Sequence, residues 1–182
     1  SHHHQPLAPL RDRGKTLLGY ISLGEISQHR SHFETVKAMG LLGDENPNWP
    51  GSFHVDLRDP RWTRLVIERL IPAILRRGFD GLFFDTLDNA GDAERQSPEK
   101  FAGSIEAARR LVVAIRRHYP NIKLMLNRGY EILPDAAAYV DMVLGESVYA
   151  DYDFDKKVNR RVPEQLYRHQ VQILQNVVKH HP

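Results

Sequence analysis

The sequence predicts an α/β protein in which helices cover a parallel sheet. Three observations carry that reading. The strongest apolar runs are continuous instead of alternating, amphipathic stretches at helical spacing separate them, and each run ends in polar residues where the chain turns away. Strands buried on both faces read as unbroken apolar segments, and crossover helices between them enforce the parallel arrangement. The 182 residues amount to a single domain, spanning 1–182, with enough chain to bury a sizeable core.

Each element has a local cause. Residues 17–23 form a short apolar run with the β-favouring Tyr20 and Ile21, stopped by Gly24. Residues 32–39 read as a short helix closed by Gly40. Residues 43–52 and 88–98 are the two stretches punctuated by Pro, Gly and Asn, and read as loops. Asp59 followed by Pro60 is a helix start, an N-cap residue with proline at the first helical position. Trp62, Leu65, Val66, Leu70, Ala73 and Ile74 then form an apolar stripe, with Pro72 expected to kink it and Gly78 to end it.

Residues 81–84 read as a buried strand ending at Asp85. Ser97-Pro98 opens a helix whose expected inner face is Phe101, Ile105, Ala108, Val112 and Ile115, stopped by Pro120. Residues 122–126 are a strand ending at Asn127-Arg128-Gly129, and residues 139–144 a strand ending at Gly145-Glu146-Ser147. Pro163 starts a last helix, with Tyr167, Val171, Leu174 and Val178 expected on one side.

A doubly wound sheet and a (β/α)8 barrel both fit this alternation. A barrel typically takes ~250 residues, and only four or five strands are convincing here. The expectation is therefore a barrel-type fold with its terminal strands missing, or a smaller open sheet.

Composition excludes several functions. Lys plus Arg number 25 against 23 Asp plus Glu, a formal charge of +2, without the basic excess of a dedicated nucleic-acid binder. No apolar run approaches the ~20 residues of a membrane-spanning helix. Cysteine is absent, which removes disulfides, thiolate metal sites and cysteine nucleophiles together.

In parallel α/β folds the chemistry sits at the carboxyl ends of the strands, and here those ends are acidic. They read Ser22-Leu23-Gly24-Glu25, Phe84-Asp85-Thr86-Leu87-Asp88, Asn127-Arg128-Gly129 and Gly145-Glu146-Ser147. An apolar strand has little reason to end in carboxylates unless they face a polar site. Two carboxylates across a cleft suit glycosidic cleavage: one protonates the leaving oxygen while the other attacks the anomeric carbon or activates water. Structural roles compete with this reading. Asp85 or Asp88 could cap the following helix, Glu25 could pair with Arg30, and Asp56-Leu57-Arg58 could be a surface ion pair of little worth. Trp62 reads as core, whereas Trp49, in a proline-bounded loop, is the better candidate to stack on a sugar ring.

The segments Gly19-Tyr20-Ile21-Ser22-Leu23-Gly24-Glu25, Val55-Asp56-Leu57-Arg58-Asp59-Pro60, Gly78-Phe79-Asp80-Gly81-Leu82-Phe83-Phe84-Asp85-Thr86-Leu87-Asp88 and Asn127-Arg128-Gly129-Tyr130-Glu131 resemble glycoside hydrolase family 114. That group includes endo-α-1,4-polygalactosaminidases and Pel-type polysaccharide hydrolase domains. The resemblance runs from about Leu17 to Tyr152. It implies a (β/α)8 barrel acting on an amino-sugar polysaccharide by a retaining route, outside the cytoplasm, without cofactor or metal. Asp85 would be the nucleophile and Glu146 the acid/base, with Asp88 in a supporting role. Tyr20, Glu25, Arg58, Asn127, Arg128 and Tyr149 would be further cleft residues, and Arg58 could hold a carboxylate through a bidentate contact. The absent terminal strands are the departure from the family pattern. Two other readings accompany the hydrolase: a non-catalytic carbohydrate-binding protein keeping a decayed cleft, and a metal-dependent hydrolase using His2, His3 and His4 with Asp85 and Asp88.

Overall fold

The computed structural model describes residues 7–181. A short helix, α1 (Ala8–Arg11), leads into β1 (Leu18–Ser22), followed by β2 (Glu25–Ser27), α2 (Phe33–Ala38), β3 (Leu42–Glu45) and β4 (Ser52–Val55). Helix α3 (Pro60–Leu65) passes through a π-helical stretch (Val66–Leu70) into α4 (Ile71–Leu75) and then β5 (Gly81–Asp85). Next come α5 (Asn89–Gln96), α6 (Pro98–Phe101), α7 (Ser104–His118) and β6 (Lys123–Asn127). Helix α8 (Leu133–Ala136) and a 3-10 turn (Ala137–Tyr139) precede β7 (Met142–Leu144), the hairpin β8 (Ala150–Asp153) and β9 (Val158–Arg161), and α9 (Glu164–His180).

The central sheet has the order β1-β5-β6-β7 and is parallel throughout. Its register decides the site. Ser22 pairs with Asp85, Phe84 with Leu126, and Asn127 with Leu144, so the polar ends of all four strands share one rim. Among the described residues the barrel is not closed, and β1 and β7 are the edges of the sheet.

Leu82, Phe84, Leu124 and Leu126 are fully buried in the sheet, and Trp62, Val66, Ile71, Val112 and Ile115 are fully buried on the helices of the same core. Buried Trp62 keeps its indole N–H satisfied by donating to the Leu23 carbonyl at 3.0 Å, which avoids the cost of an orphaned polar group. The Asp59 carboxylate caps α3, accepting from the Arg61 backbone N–H at 2.8 Å. The expected disturbance at Pro72 takes the form of the π-helical stretch, in which the Ile71 N–H reaches back five residues to the Val66 carbonyl. Proline lacks the donor and crowds the carbonyl four residues earlier, and a widened turn relieves both.

Several elements differ from the sequence expectation. Residues 88–98, read as a loop, hold α5. Its Asn, Gly and Asp residues are poor helix formers, but Arg95 pairs with Asp92 one turn earlier in the helix and ties the helix to Glu131. The helix expected from Ser97-Pro98 is one turn only. Gly103, at φ +84°, breaks the chain, and α7 starts at Ser104 with the Glu94 carboxylate accepting from the Ile105 N–H at 2.9 Å. The face of α7 is accordingly Ser104, Ala107, Ala108, Leu111, Val112 and Ile115, with Phe101 left on α6. On α9 the inner stripe is Gln170, Ile173, Leu174 and Val177, and Val178 faces solvent. The helix is set by Leu174, which fits against Gly145 so closely that a Cβ there would lie 3.0 Å from it.

The parallel-sheet expectation also missed two antiparallel excursions from the rim. One is a three-stranded sheet of order β2-β4-β3, the other the β8-β9 hairpin. Their strands are three or four residues long, too short for a period-2 pattern to register.

Candidate active site

The rim opens into a groove of about 1400 Å³, walled by the strand ends and by both antiparallel excursions. At its base one amide joins two carboxylates, one ending β5 and one in the turn after β7. Asn127 Nδ2 donates to Asp85 Oδ1 at 3.0 Å and to Glu146 Oε2 at 2.7 Å. Those two oxygens can be no farther apart than the two bonds laid end to end. The two carboxyl groups therefore meet across a single amide. Tyr20 donates its hydroxyl to Asp85 Oδ2 at 2.8 Å, so each oxygen of Asp85 is oriented by a separate donor. Burial, and then the bond to Asp85, push the Tyr20 phenol above its ordinary range, and it remains a proton donor.

The backbone around these residues is unusual. Thr86, Arg128 and Ser147 have φ of 66°, 55° and 56°, and each directly follows one of Asp85, Asn127 and Glu146. Non-glycine residues enter the left-handed region at a cost of about 1–3 kcal/mol each, and such strain concentrates at functional sites. Around Thr86 the turn is knitted shut. Its hydroxyl bonds the Ser22 hydroxyl at 2.9 Å and accepts from the Gly24 N–H at 2.8 Å. A Cβ on Gly24 would fall 2.1 Å from the Thr86 carbonyl oxygen, so only glycine fits.

Asp88 stands one step back. Its side chain makes no helix-capping bond and instead faces Arg128 Nε at 3.3 Å. Burial raises the Asp88 carboxyl above the ordinary carboxylate range, with Asp92 and Asp85 adding to the rise and Arg128 opposing it.

The other expected cleft residues are distributed unevenly. Glu25 lines the groove but is nearly buried, accepting from Asn46 Nδ2 at 2.9 Å and meeting Asn89 Nδ2 at 3.5 Å. Arg58 lies on the wall, and its bidentate contact goes to Asp56, two residues back, at 2.8 and 2.9 Å, the local ion pair that stood as the structural alternative to a cleft role. That bond holds the Asp56 carboxyl below its usual value. Asn127 is 4% exposed, so it touches the carboxylates and not the open groove. Tyr149 is not part of the groove wall. It packs edge-on against Tyr167 at 6.2 Å and under Arg161, because β8 and β9 turn it toward α9.

Sequence reasoning missed Thr86, Asn46, Tyr152 and Phe154. Thr86 lay within the motif that holds Asp85, so its position was a signal; the other three sit on the antiparallel excursions. The histidines at 2–4 lie outside the described residues. Among the described residues no group of three or more His, Asp or Glu side chains is placed to hold a metal ion.

Electrostatically the groove is anionic although the whole chain is slightly cationic. Among the described residues nine carboxylates and three cationic side chains line it, and each cation already faces a carboxylate: Arg58 with Asp56, Lys100 with Asp44 and Arg128 with Asp88.

The family profile of glycoside-hydrolase family GH114 matches residues 1–178. The glycoside hydrolase domain of PelA from Pseudomonas aeruginosa superposes with a TM-score of 0.82 at 26% identity, covering 98% of this chain and 70% of that one. Aspergillus fumigatus Ega3, solved in complex with galactosamine, superposes with a TM-score of 0.61 at 21% identity over 75% of this chain and 53% of that one, a likeness of fold. An uncharacterized protein of Deinococcus radiodurans is 28% identical over 142 residues, 75% of this chain and 46% of its own. The chain spans less than half the length of the curated relatives it matches. The fold is thus α/β of the TIM-barrel type, with the barrel unclosed among the described residues.

Proposed function

This chain belongs to glycoside-hydrolase family GH114, and on that premise we propose that it hydrolyses α-linked, galactosamine-containing polysaccharide by a retaining double displacement. The observation that carries the reading is the single Asn127 amide bonded to both Asp85 and Glu146. The bridge pairs two carboxylates 61 residues apart in the chain, the two-carboxylate arrangement that glycosidic cleavage uses.

In the first step Asp85 attacks the anomeric carbon as the bond to the leaving sugar breaks, and Glu146 gives its proton to the departing oxygen. In the second, Glu146 as carboxylate takes a proton from water, the water oxygen attacks the anomeric carbon, and Asp85 is released. Asp85 is preferred to Asp88 as nucleophile because it shares Asn127 with Glu146, whereas Asp88 faces Arg128. Tyr20 and Asn127 set the direction of attack by holding one Asp85 oxygen each.

An amino-sugar substrate follows from charge. Ammonium groups of a partly de-N-acetylated polymer are drawn into a groove whose carboxylates outnumber its cations. The reading takes residues 1–182 as one hydrolase unit with a polysaccharide as its partner, working outside the cytoplasm. No described helix is long and apolar enough to cross a membrane.

The test is incubation with a de-N-acetylated α-1,4-galactosamine polymer, resolving products by size and reading the first-formed anomer by NMR. Oligosaccharides with an α reducing end are expected. A β anomer appearing first would overturn the retaining route. Binding without turnover would instead favour a carbohydrate-binding protein with an inactive cleft.

A further inference from the structure

We infer that Trp49, Tyr152 and Phe154 form a second glycan-binding site in the groove, an aromatic clamp that grips an amino-sugar unit away from the bond being cleaved. The inference rests on the hydrolase reading for its ligand and on separate observations for its place.

The three rings come from two excursions distant in the chain. Trp49 sits in the β3–β4 loop, Tyr152 on β8 and Phe154 just after it. They meet edge to face: Trp49 and Phe154 at 5.3 Å and 82°, Tyr152 and Phe154 at 5.1 Å and 84°. All three line the groove that contains Asp85 and Glu146. They remain 56%, 42% and 39% exposed, so the cluster is not a folding core. Apolar surface left open in a concave wall marks a binding site.

The loop that carries Trp49 is held in place. The Trp49 N–H donates to the Asn46 carbonyl at 3.1 Å, and the Ser52 N–H to the Trp49 carbonyl at 2.9 Å. Asn46 is tied to Glu25 at the root of the excursion, and Pro47 and Pro50 restrict the chain on either side. A preset aromatic surface binds with little loss of conformational freedom.

The ligand class follows from two chemistries present together. The aromatic faces suit the C–H face of a pyranose and attract an ammonium group held above them, and Asp151, beside Tyr152, also lines the groove. A galactosamine unit presents both features, whereas a neutral sugar presents only the first. Tyr152 lies six positions after Glu146, a length of chain that spans at most ~22 Å, which places the clamp within a few sugar units of the cleavage point. Such a site favours internal cutting of long chains, since an oligomer too short to reach it gains nothing from it.

Tryptophan fluorescence reads the clamp directly. The chain has two tryptophans, and Trp62 is fully buried, so acrylamide reports on Trp49. The Asp85→Asn protein, titrated with a galactosamine hexamer, should show Trp49 shielded from quencher, and Phe154→Ala or Tyr152→Ala in that background should weaken hexamer affinity about tenfold. The N-acetylated hexamer should bind more weakly. With active protein, Trp49→Ala should lower the polymer-to-trimer ratio of kcat/KM about tenfold, and Trp49→Phe should restore most of it.

Circular dichroism of each variant separates a folding defect from a lost contact. Trp49 remaining fully quenchable at saturating hexamer, while the polymer is hydrolysed normally, would overturn the clamp and leave the hydrolase standing. Shielding without hydrolysis by the active protein would support the clamp and overturn the hydrolase. Equal shielding by a neutral glucan hexamer would remove the amino-sugar assignment.

Discussion

The tips of the parallel strands and the two antiparallel excursions share one groove but are built on opposite principles. At the tips, polar side chains bond one another: Tyr20 to Asp85, Asp85 to Asn127, Asn127 to Glu146. Tyr20, Asp85 and Asn127 sit on strands whose register is set by their neighbours, and Glu146 follows β7 by two residues. In the excursions, aromatic rings on and beside short strands touch one another and stay open to solvent. The contrast separates holding a reaction geometry, which needs locked rotamers, from gripping a chain, which needs open surface.

The largest effect should come from the tips. Asp85→Asn or Glu146→Gln is expected to lower kcat on the amino-sugar polymer by about 10³-fold or more, with unchanged circular dichroism. Activity near wild type in either variant ends the assignment of these residues. The next effect falls on their shared amide. Asn127→Ala should reduce kcat by about 10²-fold with little change in KM, because it removes the donor both carboxylates share without touching the open groove. A change confined to KM would move Asn127 into direct substrate contact and blur the contrast.

A smaller effect is expected where an excursion joins the rim. Asn46→Ala leaves the nearly buried Glu25 without its main donor and should cost about 1–3 kcal/mol of stability, measured by urea unfolding. If stability does not move, the excursion is not anchored through Glu25.

The smallest effect is a pH dependence at Asp88. Its folded carboxyl is raised above the ordinary value by burial, so the folded state binds more protons than the unfolded state just above that value. Stability therefore falls as pH rises through that window. Asp88→Asn cannot titrate, and its stability relative to wild type should improve as pH rises above the ordinary aspartate value of about 4, read as a shift in urea midpoints. A difference that stays flat with pH would mean that Arg128 fully compensates for burial.

Legibility followed the same divide. The strands ending at Asp85, Asn127 and Glu146 could be read because each is a local event, an apolar run stopped by a polar turn. Asp59 could be read for the same reason, since a cap acts over two or three residues. Helix α5 could not, because its Gly and Asn residues lower intrinsic helicity and its support comes from Glu131 on a later segment. Asn127, expected as a cleft residue, bonds the two carboxylates instead of facing the open groove: sequence order shows that it ends a strand, but not that both its N–H bonds point sideways to carboxylates. Tyr149 was misjudged because its direction depends on the register of a hairpin absent from the sequence reading.

By itself, then, the chain's amino-acid order determined an α/β architecture, the acidic ends of its buried strands and the family to which it belongs. These follow from hydrophobic period and turn chemistry, which act over a few neighbouring residues. Only the tertiary structure decided that Asp85 and Glu146 share one amide and that Trp49 meets Phe154 across the groove. Those contacts join residues 61 and 105 positions apart, and such distances are closed by strand register and by the packing of short antiparallel pieces, not by local preference.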